Sequence, residues 1–203
     1  MAGPDVTSGR SYRGESAEER AAARRERLLA AALELFGRRG RSRPTIAQVC
    51  ARARVTTRNF YAAFGSREEL LLALYEQILA EQARRLRAAF QALDPEQPMH
   101  TQTRPVIEAV VRPWAEDVRK ARVAQLEIRG LGSEVDARTF AALTGFASLV
   151  ARSTGVSPLV AVALVGAVNQ TIMVWHLLAP AERPPIEDVI DALALVAERT
   201  LAP

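Results

Sequence analysis

The sequence has few of the residues that build disulfides and metal sites. Its 203 residues include one cysteine, Cys50, and two histidines, His100 and His176, which lie far apart. A single cysteine excludes an internal disulfide framework and fits a reducing cytoplasm, so we expect Cys50 to be a small core residue. No cluster of histidine, cysteine and acidic residues predicts a metal, and no phosphate loop or nucleophile motif predicts a cofactor or catalysis. The sequence therefore does not read as an enzyme.

Secretory and membrane segments are also missing. The first 27 residues are polar and charged, without the apolar run of a signal peptide. Residues 159–178 are long enough to span a membrane, but Asn169, Gln170, Thr171 and His176 interrupt them. We interpret this stretch as a helix buried in a bundle and predict a cytoplasmic protein with no membrane partner.

The periodicity of the apolar residues predicts an all-α protein. Aromatic residues make up only 5%, no strand pattern is convincing, and 49% hydrophobic residues suffice for a packed core. The predicted helices cover residues 18–36, 46–52, 57–63, 67–93, 105–120, 122–130, 136–154, 158–178 and 186–201. We divide the chain into a flexible arm (1–17), a small N-terminal domain (18–66) and a larger helical domain (67–203).

Positive charge is concentrated at one end. Residues 1–72 hold 14 arginines and eight acidic residues, a net charge of +6, whereas the remaining residues carry a net charge of −2. Such asymmetry is typical of a module that binds phosphate. A GC-rich genome would explain the preference for arginine over lysine, but it would not explain the asymmetry.

Helix-start signals divide the basic region into short helices. Thr45 is followed three residues later by Gln48, and Ser66 by Glu69, both in the pattern of a capping box. A three-residue turn at residues 53–55 separates the second and third helices, which is the spacing of a helix-turn-helix. If Phe60 and Phe64 face the core, the outward side carries Thr57, Arg58 and Tyr61. A generic helical bundle would show a similar pattern, so the spacing alone leaves both interpretations open.

The segment from residue 27 to 72 resembles the DNA-binding domain of the TetR family of transcriptional regulators. The resemblance is carried by LLAAALELF (28–36), Gly40, Pro44-Thr45-Ile46 and VCARARVTTRNFYAAFGSREEL (49–70). It implies a three-helix DNA-binding domain followed by a helical domain for ligand binding and dimerisation. It also implies a regulator, typically a repressor, that a small molecule releases from a palindromic operator.

The resemblance assigns DNA contacts to residues in and around the third helix. Base contacts are implied for Thr57, Arg58 and Asn59. Contacts to phosphate are implied for Thr45, Tyr61 and Arg67. Thr56 completes the set of expected DNA-binding residues. Two positions depart from the family pattern. Arg54 replaces a turn glycine, so either the turn avoids a positive φ or the arginine is strained. Ala63 replaces a common histidine or tyrosine, which removes one expected contact.

The same resemblance assigns ligand binding and pairing to the second domain. The last two helices, residues 158–178 and 186–201, are expected to form a homodimer, which a palindromic operator requires. The candidate cavity residues are Trp114, Phe140, Phe146, Asn169, Gln170, Met173, Trp175 and His176, with Glu127 as a further polar group. Aromatic residues at helical spacing are more often core, so these side chains have a structural interpretation as well. The expected effector is a largely apolar small molecule.

Two alternatives remain at the level of sequence. One is a helical adaptor without DNA binding, against which the basic N-terminal region and the family-like segment both count. The other is a small helical enzyme, which lacks a catalytic constellation in this sequence. The prediction that follows is a sequence-specific DNA-binding regulator.

Overall fold

The computed structural model describes residues 16–38 and 44–202. These two segments contain nine α-helices and no strand, which confirms the predicted all-α class. The helices are α1 (Ala17–Phe36), α2 (Ile46–Ala53), α3 (Thr57–Ala63), α4 (Arg67–Gln91), α5 (Thr103–Glu116), α6 (Val118–Arg122), α7 (Ser133–Thr154), α8 (Pro158–Leu177) and α9 (Ile186–Leu201). A π-helical turn, Val123–Glu127, follows α6, and short 3₁₀ turns lie at Met99–Gln102 and Pro180–Glu182. Residues 1–15 of the predicted arm, with Arg10 and Arg13, lie outside the described residues, as does Gly40.

The first three helices and the start of α4 enclose one apolar core. Leu28, Phe36, Phe60 and Leu70 are almost fully buried, and α1 packs against α2, α3 and α4. Phe60 and Phe64, four residues apart, place their ring centroids 6.0 Å from each other. The predicted inward face of α3 is therefore confirmed.

Side-chain caps begin the helices of this region. Thr45 accepts from the amide of Gln48 at 3.2 Å, and the Gln48 side chain accepts from the amide of Thr45 at 2.8 Å, which confirms the first predicted capping box. Ser66 accepts from the amide of Glu69 at 3.0 Å. The Glu69 carboxylate, however, accepts from the amide of Gly65 at 2.7 Å, so the second box is shifted by one residue.

The second domain is a layered arrangement around α4 and α5. Helix α5 packs against α4 and α9, while α7 packs against α8 and contacts α4. Predicted helix bounds hold within a few residues for α4, α7, α8 and α9. Because α4 contributes to the N-terminal core and runs on into this arrangement, it is an element of both domains.

The predicted helices 105–120 and 122–130 are wrong in their bounds. Helix α5 begins earlier, at Thr103, and ends at Glu116. Asp117 leaves the helical conformation (φ −133°, ψ 86°) and its side chain accepts from the amide of Arg119 at 3.1 Å, so it caps α6. Such a local side-chain bond competes with the continuing helix. Arg122, the predicted start of a helix, is where α6 gives way to the π-helical turn.

Candidate DNA interface and ligand cavity

The turn between α2 and α3 contains a strained arginine. Arg54 has φ 54° and ψ 47°, the left-handed conformation that glycine adopts without a steric penalty. It lets the amide of Val55 bond the carbonyl of Cys50 at 3.0 Å and sends the chain into α3. Of the two alternatives for Arg54, the structure therefore shows strain, at a cost of about 1–2 kcal/mol.

The outer face of α3 is open to solvent. Thr57, Arg58 and Tyr61 are exposed, and Tyr61 exposes 56% of its surface although it is a large aromatic residue. Asn59 is half-buried, while Ala63 packs partly against the core. The structure thus places three of the predicted DNA-contacting side chains together on one free helical surface, with Asn59 at its edge.

The threonine and arginine candidates beside α3 already have partners. The Thr45 hydroxyl accepts from the amide of Gln48 at the start of α2 and donates to Gln48 Oε1 at 3.3 Å. The Thr56 hydroxyl accepts from the amide of Asn59 at 3.3 Å, which leaves its own proton to donate. Arg67 donates to Glu68 Oε1 from Nε at 3.2 Å and from Nη2 at 2.8 Å. Thr45 and Arg67 would therefore exchange an internal bond for any bond to phosphate.

An ion-pair cluster near α1 and α2 was not predicted. Glu34 of α1 accepts from Arg38 and forms a salt bridge with Arg52 of α2. The hydrogen bond and charge of Arg52, with help from Arg38, lower the pKa of Glu34 below its usual value. Part of the basic excess in this region therefore binds one helix of the domain to another.

A cavity of about 470 Å³ lies in the second domain, within the size range of sites for small ligands. It is partly open to solvent and is lined by residues of α4, α5, the π-helical turn, α7, α8 and α9. Most of its lining is aliphatic or aromatic. Four predicted residues, Trp114, Phe140, Phe146 and Asn169, line it.

The other four predicted ligand residues lie outside the lining, and three of them, Met173, Trp175 and His176, follow Ile172, the last lining residue of α8. Gln170 is exposed, and Met173 Sδ accepts from Arg129 Nη2 at 3.4 Å. Trp175 Nε1 donates to the carbonyl of Pro184 at 2.9 Å, and His176 is buried a turn past the end of the cavity.

Glu127, the further polar candidate, is also outside the lining. Its carboxylate pairs with Arg122 at 2.7 Å, and both side chains are mostly buried. Its role in this structure is to hold the π-helical turn beside α6.

Two buried glutamines that were not predicted from the sequence, Gln82 and Gln125, line the cavity. Gln125 Nε2 donates to Asn169 Oδ1 at 2.6 Å, which joins the π-helical turn to α8. Gln82 is only 3% exposed, and its Oε1 accepts no hydrogen bond from the residues that the structure describes. The sequence held a signal for Gln82, because it interrupts the apolar stripe Tyr75, Leu79, Leu86 and Phe90 at helical spacing.

Charged groups line the cavity only at its surface. Arg129 and Asp136 are both exposed, and Arg129 Nε donates to the carbonyl of Gln125 at 2.7 Å. Burial raises the pKa of the nearby Tyr75 to about 12, a shift that the positive charge of Arg129 partly opposes. The interior of the cavity is neutral.

Helix α8 is the one described helix long and apolar enough to cross a membrane. Only 17% of its most apolar stretch is buried within the chain. A single chain therefore does not bury this helix as predicted. Large apolar side chains of α8 and α9 remain exposed: Leu159, Val162, Val174, Leu177, Leu195 and Val196. In the described part of the chain, no group of three or more histidine, cysteine or acidic residues is arranged to hold a metal.

Comparison with known proteins gives a family match for the N-terminal region and a fold for most of the chain. Residues 28–74 match the family model for bacterial regulatory proteins of the tetR family. Comparison with curated proteins found no match.

Solved structures match the whole fold at low sequence identity. The fatty acid degradation regulator FadR from Bacillus halodurans aligns with a TM-score of 0.73 and 14% identity, over 86% of this chain and 94% of that one. FadR from Bacillus subtilis, solved with stearoyl-CoA, aligns with a TM-score of 0.72 and 16% identity, over 86% and 98%. The multidrug binding protein EbrR, complexed with imidazole, aligns with a TM-score of 0.68 and 23% identity, over 89% and 95%.

Proposed function

We infer that this chain, a DNA-binding transcriptional regulator of the TetR family, is a repressor that a largely apolar small molecule releases from a palindromic operator. The observation that carries the proposal is the double role of α4. Leu70 and Leu74 are buried at its N-terminal end, in the core of the DNA-binding domain, while Leu79 and Gln82 line the cavity further along. One rigid helix therefore connects the place where a ligand fits to the place where DNA would bind.

The proposed reading surface is the outer face of α3. Thr57, Arg58 and Asn59, at its start, would reach base edges, and an arginine can bind guanine through two hydrogen bonds. Contacts to phosphate are proposed for Thr45, Tyr61 and Arg67, and a further DNA contact is proposed for Thr56. The exposure of Tyr61 supports this assignment, because a tyrosine without a partner surface seldom stands so far out of the protein.

The proposed dimer forms through residues 158–178 and 186–201. The exposed apolar side chains on α8 and α9 support it, because a second copy would remove them from water. Two copies related by a two-fold axis would present two α3 helices to the two halves of a palindrome. We retain the proposed division into an arm (1–17), a DNA-binding domain (18–66) and a ligand and dimer domain (67–203).

A second contact between the domains supports the proposed release mechanism. A Cβ added at Gly37, which follows α1, would overlap Arg119 Cβ of α6, so these two segments pack closely against each other. Helix α6 leads into the π-helical turn, where Gln125 lines the cavity and bonds Asn169. A ligand that displaces this turn would therefore move the end of α1 as well as α4.

The expected effector is elongated and largely apolar, and the protein is proposed to act in the cytoplasm without catalysing a reaction. The aliphatic and aromatic lining supports this class of ligand. The stearoyl-CoA held by the Bacillus subtilis FadR, a protein of similar fold, also carries a long apolar chain.

A salt series of operator binding tests the DNA-binding part of the proposal. The measurement is a gel shift on the DNA that flanks the protein's own gene, with wild type, Arg58→Ala and Tyr61→Phe. Wild type is expected to bind a palindromic site with an affinity that falls steeply as salt rises, because cations leave the phosphates on binding. Arg58→Ala should lose discrimination at one base pair, worth about 1–3 kcal/mol, while Tyr61→Phe should weaken all sites alike.

Two results would contradict the proposal. Absence of binding at low salt, or binding that does not depend on salt, would favour a helical adaptor instead. A screen in which no small molecule alters operator affinity would remove the effector-released mechanism while leaving DNA binding in place.

A further inference from the structure

The turn between α2 and α3 has a conformation that glycine tolerates better than arginine. In the described part of the chain, Arg54 is the one residue other than glycine with a positive φ. Its amide donates to the carbonyl of Ala51 at 3.3 Å, and a glycine would make the same bond without the steric cost of a Cβ. The backbone of the turn therefore does not explain why an arginine stands at this position.

The Arg54 side chain has no structural partner among the described residues. It is exposed and forms no hydrogen bond, ion pair or ring contact with them. Other arginines of this domain are engaged. Arg52 pairs with Glu34 of α1, and the Arg25 guanidinium lies 4.6 Å from the ring centroid of Phe64. A side chain that strains its own backbone and contacts nothing in the folded chain points to a function outside it.

The helix-turn-helix carries positive charge that its own residues do not neutralise. Residues 45–66 contain three arginines and no acidic residue. Arg52 is neutralised by Glu34, whereas Arg54 and Arg58 form no ion pair in the part of the chain that the structure describes. Two uncompensated cations at exposed positions of one motif attract the phosphates of a nucleic acid.

Arg54 lies where a helix-turn-helix passes from the DNA backbone to the groove. In this motif the first helix crosses the sugar–phosphate backbone and the second lies in the major groove. Arg54 follows α2, the first of these helices, and Thr56 caps α3, the second. Val55 between them is buried, so it anchors the turn in the core while the arginine remains in solvent. This position favours contact with a phosphate over contact with a base edge.

We propose that the guanidinium of Arg54 binds a phosphate of the operator backbone beside the groove that α3 enters. An arginine can bind two phosphate oxygens at once through parallel N–H groups. The contact is independent of base sequence, and it offsets the strain of the left-handed turn only when DNA is bound. This inference rests on the proposed function, because it adds a residue to the same DNA-binding surface.

A salt series of DNA binding by fluorescence anisotropy tests the proposal in the full chain. The probes are a duplex that wild type selects from the DNA flanking its own gene and an unrelated duplex of the same length. Arg54→Asn removes the charge and keeps a residue that tolerates the left-handed conformation. We expect it to weaken binding to both duplexes by a similar factor, about ten-fold or more, as for a lost hydrogen bond between charged groups. The slope of log affinity against log salt should become shallower by about 2, one phosphate for each of two subunits.

Three further variants separate a DNA contact from a structural role. Arg54→Lys restores the charge, so its salt slope should match that of wild type. Arg54→Gly should lose as much affinity as Arg54→Asn although its unfolding midpoint is about 2–4 °C above wild type, because the strain has been removed. Arg152→Gln is the matched control, since Arg152 is an exposed arginine of α7 without an ion pair among the described residues. Its DNA binding and salt slope should equal those of wild type.

Several outcomes would overturn the inference. An unchanged affinity and salt slope in Arg54→Asn would do so, as would a slope that Arg54→Lys does not restore. A loss confined to the selected duplex would assign a base contact instead of a phosphate. A lower unfolding midpoint in Arg54→Gly would mean that the arginine side chain stabilises the turn, so its strain would be no sign of function.

Failure of this contact and failure of the proposed function are distinguishable. Wild type that binds no DNA at low salt would contradict the proposed function itself. Wild type that binds with a steep salt slope, beside an Arg54→Asn variant that binds equally well, would remove only the Arg54 contact.

Discussion

The two domains differ in how complete they are within one chain. In the DNA-binding domain the core residues Leu28, Phe60 and Leu70 are fully buried, and side-chain caps begin its helices. In the second domain only two of the 22 residues of α7, Val135 and Ala147, are buried. The first domain is closely packed by its own contacts, whereas the second contains a cavity and exposes apolar side chains on α8 and α9.

The difference indicates which domain is rigid and which domain can change conformation when a ligand binds. A closely packed core transmits displacement as a rigid body, because its side chains have little free volume. A domain with an internal cavity and an unsatisfied acceptor is closer in energy to other arrangements, so a ligand can shift it. We therefore expect substitutions in the two domains to differ in their effects on stability and on binding.

The largest expected effect is in the DNA-binding core. Phe60→Ala should destabilise the protein by about 3–5 kcal/mol, because it leaves a cavity in a fully buried site. Phe146→Ala, at a half-buried position that already faces a cavity, should cost distinctly less. Denaturant unfolding of both variants measures the loss in free energy of unfolding, and equal losses would contradict the difference between the two domains.

The exposed face of α8 gives the next effect. Leu177→Glu should convert the proposed dimer to monomer in sedimentation equilibrium, because it places a charge in an interface that would bury Leu177. Binding to a palindromic operator should fall by at least about a hundred-fold, the contribution of a second half-site of modest affinity. Val118→Glu, an exposed apolar position on α6, is the control and should remain dimeric. A dimeric Leu177→Glu protein would argue against this interface.

Tyr75 connects the cavity to an alkaline loss of stability. Burial raises its pKa from the usual 10.0 to about 12, so the folded state keeps the phenol proton over a range where the unfolded state releases it. This contribution is fully present below pH 10 and is lost as pH rises from 10 to 12, by about 3 kcal/mol, as the shift of the pKa dictates. Unfolding of Tyr75→Phe over this range should show less loss. An identical pH dependence in both proteins would contradict the assignment.

The smallest expected effect is at the turn of the DNA-binding domain. Arg54→Gly should stabilise the protein by about 1 kcal/mol, since glycine relieves the left-handed conformation at some cost in the entropy of the unfolded chain. Its unfolding midpoint should rise by about 2–4 °C. Arg52→Gly, two residues earlier in the helix, should have the opposite sign because it loses helix propensity and the pair with Glu34. A destabilised Arg54→Gly would mean that the arginine side chain stabilises the turn.

Helix boundaries were predicted more accurately in the first domain than in the second, for a physical reason. Helix starts at Thr45, Thr56 and Ser66 depend on nearby residues, so local pattern was enough to place them. The break at Asp117 and the π-helical turn depend on packing of α6 against distant helices, and periodicity did not show them.

The lining of the cavity was harder to predict than the exposed face of α3. Trp175 and His176 closely follow the lining residue Ile172 in sequence, but the cavity ends before them along α8, and the pattern of α8 alone does not show where it ends. Gln82, in contrast, was visible as a polar residue in an apolar stripe, a signal that periodicity analysis treats as an exception.

Filling the cavity is expected to change the affinity of the chain for its operator. Fluorescence anisotropy at fixed salt measures operator binding for wild type, Ala167→Phe and Ala167→Trp, because Ala167 lines the cavity on α8. We expect the affinity to fall progressively with added volume, by about five-fold or more for the tryptophan variant, while the fold and oligomeric state stay those of wild type. Unchanged operator affinity in a folded tryptophan variant would mean that the cavity and the DNA-binding surface are not coupled.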